Sequence, residues 1–122
     1  MALTQNPSEL LPLSPAVLHI LLALSDGEKH GYSIMQDVIA QTEGAVRMGP
    51  GTLYGSIKRM LAAALIVEAE TRPDPTLDDE RRRYYRLTEF GKRILEAELR
   101  RLARTVQLPA AQKLLGAVGE NQ

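Results

Sequence analysis

The stretch Gly49-Pro50-Gly51-Thr52-Leu53-Tyr54-Gly55-Ser56-Ile57-Lys58-Arg59-Met60-Leu61-Ala62-Ala63-Ala64-Leu65-Ile66 opens as a loop and continues as a helix whose two sides differ in chemistry. At helical spacing Leu53, Ile57, Met60 and Ala64 fall within one narrow arc, the pattern of a face pressed against a core. Thr52, Tyr54, Gly55, Lys58, Arg59 and Ala62 occupy the rest of the circumference. Hydroxyls, small residues and two cations on one side of a helix suit phosphates and base edges in the major groove of DNA. Pro50 fits the first helical position, after a connection that carries Gly44 and Gly49.

Upstream, Ser14-Pro15 offers a capping hydroxyl before a proline, and an apolar run to Leu24 predicts a first helix. Ser25 to Lys29 reads as a turn. His30-Gly31-Tyr32 opens a second helix with an apolar stripe of Ile34, Met35, Val38 and Ile39, ending near Thr42. Downstream, Leu65 to Thr71 and Arg82 to Leu87 predict a two-stranded hairpin whose long tip, Arg72 to Arg81, holds Pro73 and Pro75. Alternation turns Tyr85 and Leu87 inward and Arg82, Tyr84 and Arg86 outward. Thr88 then caps a long amphipathic helix in which Ile94, Leu95, Leu99, Leu102 and Val106 recur at three or four residues. From Thr88 to Leu108 such a helix reaches about 30 Å, more than a small domain needs for its own core, so its stripe wants a partner. Pro109 ends or restarts it, and Ala110 to Val118 can form one more short helix.

With 122 residues and 44% apolar content the chain fits one domain with a real core. Aromatics make up 4% and tryptophan is absent, so that core must be aliphatic. The absence of cysteine excludes disulfides, thiolate metal sites and thiol catalysis. Met1 to Leu13 lacks the pattern of a signal peptide and no run approaches a membrane span, so a cytoplasmic protein with no membrane partner is expected. Net charge is zero but polarised: Met1 to Val46 carries five acids and one base, Arg47 to Gln122 fourteen bases and ten acids. No phosphate loop, nucleophile elbow or zinc helix is present, so no enzyme and no cofactor are expected. His19 and His30 are not at metal-pair spacing; no metal site is expected, His30 reads as a helix-start residue and His19 as structural. The acidic run Asp78-Asp79-Glu80 lacks the calcium-loop spacing.

Three helices, a hairpin and an appended helix follow the order of a winged helix-turn-helix, and the residues resemble the PadR family of bacterial transcription regulators. The resemblance rests on His30-Gly31-Tyr32, on Gly51-Thr52-Leu53-Tyr54, on Leu65-Ile66, and on Arg83-Tyr84-Tyr85-Arg86-Leu87-Thr88-Glu89 with Gly91. It covers about Leu13 to Leu95. Gly55 stands where the family usually has proline, Ala64 where it usually has glycine, and Leu61 and Phe90 where acids are common. An alanine in a left-handed helix cap costs about 1 kcal/mol, so the third helix is expected to run on and stop differently.

The fold expected is mainly α with a small β-hairpin: a flexible arm over 1–12, a winged helix-turn-helix over 13–87, a dimerisation helix and short tail helix over 88–118, and a frayed end over 119–122. For DNA contact the candidates are Tyr32 and Ser33 at the start of the second helix, and Thr52, Tyr54, Gly55, Lys58 and Arg59 on the third. Arg72, Arg81, Arg82, Arg83 and Tyr84 join them from the wing, although Asp74, Asp78, Asp79 and Glu80 stand beside those arginines. Plainer readings exist for each: Tyr54 and Tyr32 as packing residues, Arg59 as half of a surface ion pair, Lys58 as solvated. Leu18, Leu22, Leu95, Leu99, Leu102 and Val106 are the candidate dimer contacts. The resemblance implies a homodimeric repressor on a pseudo-palindromic double-stranded DNA operator, of the branch with one C-terminal helix, and a small-molecule effector that releases it. A winged-helix protein-interaction module without DNA binding, and a small-molecule binding protein with an incidental winged fold, are the alternatives.

Overall fold

Ser14 accepts the Val17 amide through its hydroxyl at 3.2 Å and Pro15 occupies the first turn, so α1 runs over Pro15–Leu24 as the caps dictate. The computed structural model describes residues 10–69 and 83–120, with side chains described through Gly116. The order continues β1 (Lys29–His30), α2 (Gly31–Gln41), α3 (Pro50–Ala62), β2 (Ile66–Ala69), β3 (Tyr84–Leu87), α4 (Glu89–Gln107) and α5 (Pro109–Glu120). Helices dominate, and the architecture is a winged helix with a small antiparallel sheet.

That sheet has three strands where a hairpin of two was expected. Lys29 pairs with Tyr85 and His30 with Tyr84, while Ile66 to Ala69 pair with Leu87 to Tyr84 on the other side, giving the order β1-β3-β2. The side chain of Lys29 fixes the short strand in place: its ammonium donates to the Ala23 carbonyl at 2.6 Å and pairs with Asp26 and Asp37.

The core is aliphatic, as composition requires. Ile20, Leu21 and Leu24 of α1 meet Ile34 and Val38 of α2, Leu53, Ile57 and Met60 of α3, and Ile94 and Leu95 of α4. Tyr85 is the one buried aromatic among the described residues and faces inward; Arg86 is exposed. Leu95, expected at a dimer contact, is spent on the protomer's own core, because the first half of α4 lies against α1 and β3.

Ala64 departs from its expected place on the buried arc. It sits outside α3 with φ of 62°, exposed, while the Leu65 amide donates to the Met60 carbonyl at 2.9 Å and the Ala64 amide to the Leu61 carbonyl at 3.1 Å. Those are the two bonds of a Schellman cap, so the helix stops where a glycine would stop it and does not run on. Burial of Leu65 and Ile66 just beyond outweighs the strain of a left-handed alanine. Ala64→Gly is therefore expected to stabilise the fold by about 0.5–1 kcal/mol, read as a higher denaturation midpoint at unchanged slope.

Residues 10–12, expected within a loose arm, lie against the body instead. Leu10, Leu11 and Leu13 pack on the core, and the Leu13 amide donates to the Glu98 carboxylate of α4 at 2.7 Å. Glu98 is 1% exposed, at a position one turn beyond Ile94 and Leu95, and Arg101 completes its hydrogen bonding. The Arg101 guanidinium and then the Leu13 amide hold the Glu98 carboxyl below the usual carboxylate range, against the opposing effect of burial. A depressed folded pKa contributes stability that is full above the unfolded value, about 4.3, and vanishes as pH falls through the folded one. Chemical denaturation of Glu98→Gln should thus show a deficit at pH 7 that closes on acidification below pH 4; a deficit independent of pH would contradict the assignment.

Candidate nucleic-acid interface

The α3 helix meets the expectation of two chemistries. Leu53, Ser56, Ile57 and Met60 are buried, while Thr52, Lys58, Arg59 and Ala62 are exposed and Tyr54 and Gly55 are half-buried. Gly49 caps the helix without a side-chain bond, and Pro50 opens it. The first turn of α3 therefore presents backbone and small side chains, with Lys58 and Arg59 one to two turns further along.

Tyr54 has a structural duty as well as a place on this face. A Cβ added at Gly31 would overlap the Tyr54 hydroxyl and lie 2.8 Å from the ring carbon that bears it. Tyr54 thus seats α3 against the start of α2, and Gly31 provides the room, which ties together two motifs twenty residues apart in sequence. At that start, His30 caps α2: its Nδ1 accepts the Ser33 amide at 3.2 Å. With Nδ1 accepting, the ring proton is on Nε2, which donates to the Ser33 hydroxyl at 3.1 Å. Tyr32 beside it is 45% exposed, at the end of α2 where the helix dipole is positive.

Lys58 and Arg83 line a cleft of about 300 Å³ between α3 and the sheet, floored by Ile57, Leu61 and Tyr85 and flanked by Tyr54. Lysine and arginine lining one cleft are the side chains that phosphate contacts use. Arg83 also lies 3.9 Å from Glu68 across the wing's base, both partly exposed, a pair too open to hold it firmly. Arg59 points to the other shoulder of α3, where its guanidinium donates to the buried Ser56 hydroxyl at 3.1 Å. Tyr84, expected at the interface, is half-buried and packs its ring edge against His30, centroids 5.3 Å apart at 85°. Arg72, Arg81 and Arg82 lie outside the described residues.

The structure thus brings Tyr54, Lys58 and Arg83 to one cleft, keeps Thr52 and Gly55 on the same helix, sets Arg59 on that helix's other shoulder, and puts Tyr32 and Ser33 at the start of α2. The dimer candidates separate: Leu18, Leu22 and Leu102 are partly buried, Leu99 and Val106 are 40% and 46% exposed, and Leu95 is interior. Leu108, Leu114 and Leu115 extend this apolar surface onto α5. Sequence reasoning missed Ser56 and Glu98. The signal for both was position, since each stands on the buried arc of its helix despite its polarity.

Among the described residues no group of acids and histidines is arranged to hold a metal ion, and no helix is long and apolar enough to cross a membrane. The family model of the PadR-like transcriptional regulators matches residues 20–97. The transcriptional regulator Rv3488 of Mycobacterium tuberculosis is 34% identical over 85 residues, which is 70% of this chain and 73% of that protein. A 37.1 kDa protein of transposon TN4556 from Streptomyces fradiae is 38% identical over 89 residues, 73% of this chain but only 23% of that relative's length. Bacillus subtilis PadR, solved in complex with operator DNA, superposes with a TM-score of 0.62 over 72% of this chain and 47% of that one; at 24% identity the likeness speaks for the fold alone. Since the matched region runs from the second half of α1 into α4, it takes in most of the winged fold, and the chain belongs to the PadR-like family of transcriptional regulators.

Proposed function

We propose that this protein is a homodimeric repressor of transcription that binds a pseudo-palindromic operator, with α3 in the major groove and the wing on the flanking backbone or minor groove. The observation that carries the reading is the cleft between α3 and β3, which Lys58 and Arg83 both line beside an exposed helix face. Burial of the opposite face of α3 leaves that surface for a partner. The Bacillus subtilis relative of the same fold binds operator DNA. Residues 13–87 form the DNA-binding unit and 88–118 the dimerisation segment.

Dimerisation uses the apolar surface of α4 and α5, where Leu99 and Val106 stand exposed two turns apart on α4, and Leu114 and Leu115 on α5. Large apolar residues grouped in this way on a small domain mark a contact surface. Leu99→Arg is expected to give folded monomers in sedimentation and to abolish operator binding at concentrations where wild type is saturated; a dimer surviving the change would move the interface elsewhere. The effector would be a small molecule, and a groove of about 450 Å³ floored by Leu24, Leu87 and Leu95 with Arg86 and Lys92 at its rim is within the size range of ligand sites.

Selection of bound fragments from the source genome, followed by a salt series, tests the reading. Binding should weaken with rising salt at a log-log slope near −0.9 per phosphate neutralised. Absent binding at low salt would favour a winged-helix protein-interaction module.

A further inference from the structure

Residues 10–13 form a strap that touches the DNA-facing helix on one side and α4 on the other. On the α3 side, Leu10, Pro12 and Leu13 share a cavity of about 200 Å³ with Arg59, Met60 and Ala63. On the α4 side, the Leu13 amide is bonded to Glu98, a carboxylate 85 residues away in sequence and shut off from solvent. Nothing in the core demands a carboxylate there: an apolar residue on that arc of α4 would extend the face begun by Ile94 and Leu95. Glu98 is also not a lone charge, because Arg101 one turn along fixes its orientation with two bonds.

We infer that Glu98 is a positioning residue for DNA recognition: by clamping the strap between α4 and the last turns of α3, it sets where Arg59 stands. Resting on the DNA-binding reading above, the role gives the dimer helix a mechanical link to the recognition helix that bypasses the wing. The link is short. Glu98 holds Leu13, the strap's apolar side chains wall the cavity, and the Arg59 side chain forms the opposite wall, its guanidinium tethered to the Ser56 hydroxyl. Releasing the strap opens that wall and frees the guanidinium to leave its seat.

A double-mutant cycle read in operator affinity tests this. It is measured at a temperature where circular dichroism and sedimentation show every variant folded and assembled like wild type. Glu98→Ala is expected to weaken binding about tenfold, and to weaken it less than about twofold in an Arg59→Ala background, because the two residues act in series. Glu98→Gln, whose carboxamide oxygen still accepts from Leu13, should recover most of the loss. Equal affinity of Glu98→Ala and wild type would overturn the role, as would the same tenfold loss with Arg59 removed, which is the mark of a purely structural residue. Should Glu98→Ala fold poorly, Leu10→Ser approaches the strap from its α3 side and is expected to give the same Arg59-dependent loss; unchanged affinity there overturns the inference. Amide hydrogen exchange probes the link without DNA: the last turn of α3 should exchange faster in Glu98→Ala or Leu10→Ser, and unaltered exchange in both contradicts the link. A wild-type protein that binds no fragment, yet shows this change in exchange, would sink the DNA reading while leaving the mechanical link standing.

Discussion

Gly91→Ala is expected to destabilise the protein by about 3 kcal/mol, the upper end of what overpacking costs, and to lower the thermal midpoint by more than 10 °C. A Cβ at Gly91 would overlap the Leu65 carbonyl oxygen and lie 2.9 Å from its carbonyl carbon. Backbone, unlike the end of a flexible side chain, cannot swing aside. That carbonyl is also engaged, accepting the Thr88 amide at 3.1 Å, while the Thr88 hydroxyl donates to the neighbouring Ala64 carbonyl at 2.7 Å and lies 3.1 Å from the Leu65 oxygen. The Thr88 hydroxyl in turn accepts the Gly91 amide at 2.8 Å as the cap of α4. One methyl group would therefore push α4 away from the end of α3, break the cap and open the junction where β3 runs into α4. A thermal melt within a few degrees of wild type would show that the junction is softer than its geometry.

Lys58→Ala is expected to leave the melt unchanged and to weaken operator binding on the order of 100-fold, since one charged contact worth about 1.5 kcal/mol is lost in each protomer of the dimer. Lys58 is exposed on α3, so its removal leaves no cavity. Its role as a phosphate contact has a second signature: the slope of log affinity against log salt should fall by about 0.9 for each copy removed. A loss of affinity at constant slope would mean a contact with a base in place of a phosphate, and an unchanged affinity would remove Lys58 from the interface.

Where local chemistry decides structure, the chain is legible residue by residue. Ser14 before Pro15, Gly49 before Pro50 and Thr88 before Glu89 mark three helix starts, because capping is settled within one turn. The PadR-type winged fold followed from those starts and from the motifs between them. What escaped depends on residues brought from a distance. Strand β1 has two residues and no periodicity of its own; it exists because β3 offers it an edge and Lys29 finds two aspartates. Tyr84 read as interfacial by alternation, yet that strand gives its ring His30 as a neighbour.

The stripe on α4 shows the limit of periodicity most clearly. It marks which residues share a face and is silent on what covers it, so Leu95 and Leu99 looked alike although one is interior and the other exposed. Glu98 on the same face showed its burial by position, but not its partner, which is the amide of a residue before α1. At Ala64 the strain was visible in sequence, but not the outcome, which turned on the burial of Leu65 and Ile66. On the candidate interface, the exposed residues of α3 stood where the pattern put them, whereas the meeting of Lys58 with Arg83 needed the fold.

Methylation interference at guanine N7 on a genome-selected fragment shows whether α3 enters the major groove, because N7 lies there. Two clusters of interference are predicted, related by a dyad and centred about 34 Å, one helical turn, or a multiple of it apart. Tight, salt-sensitive binding that survives methylation of every guanine N7 and is blocked only by changes in the minor groove would contradict the placement of α3.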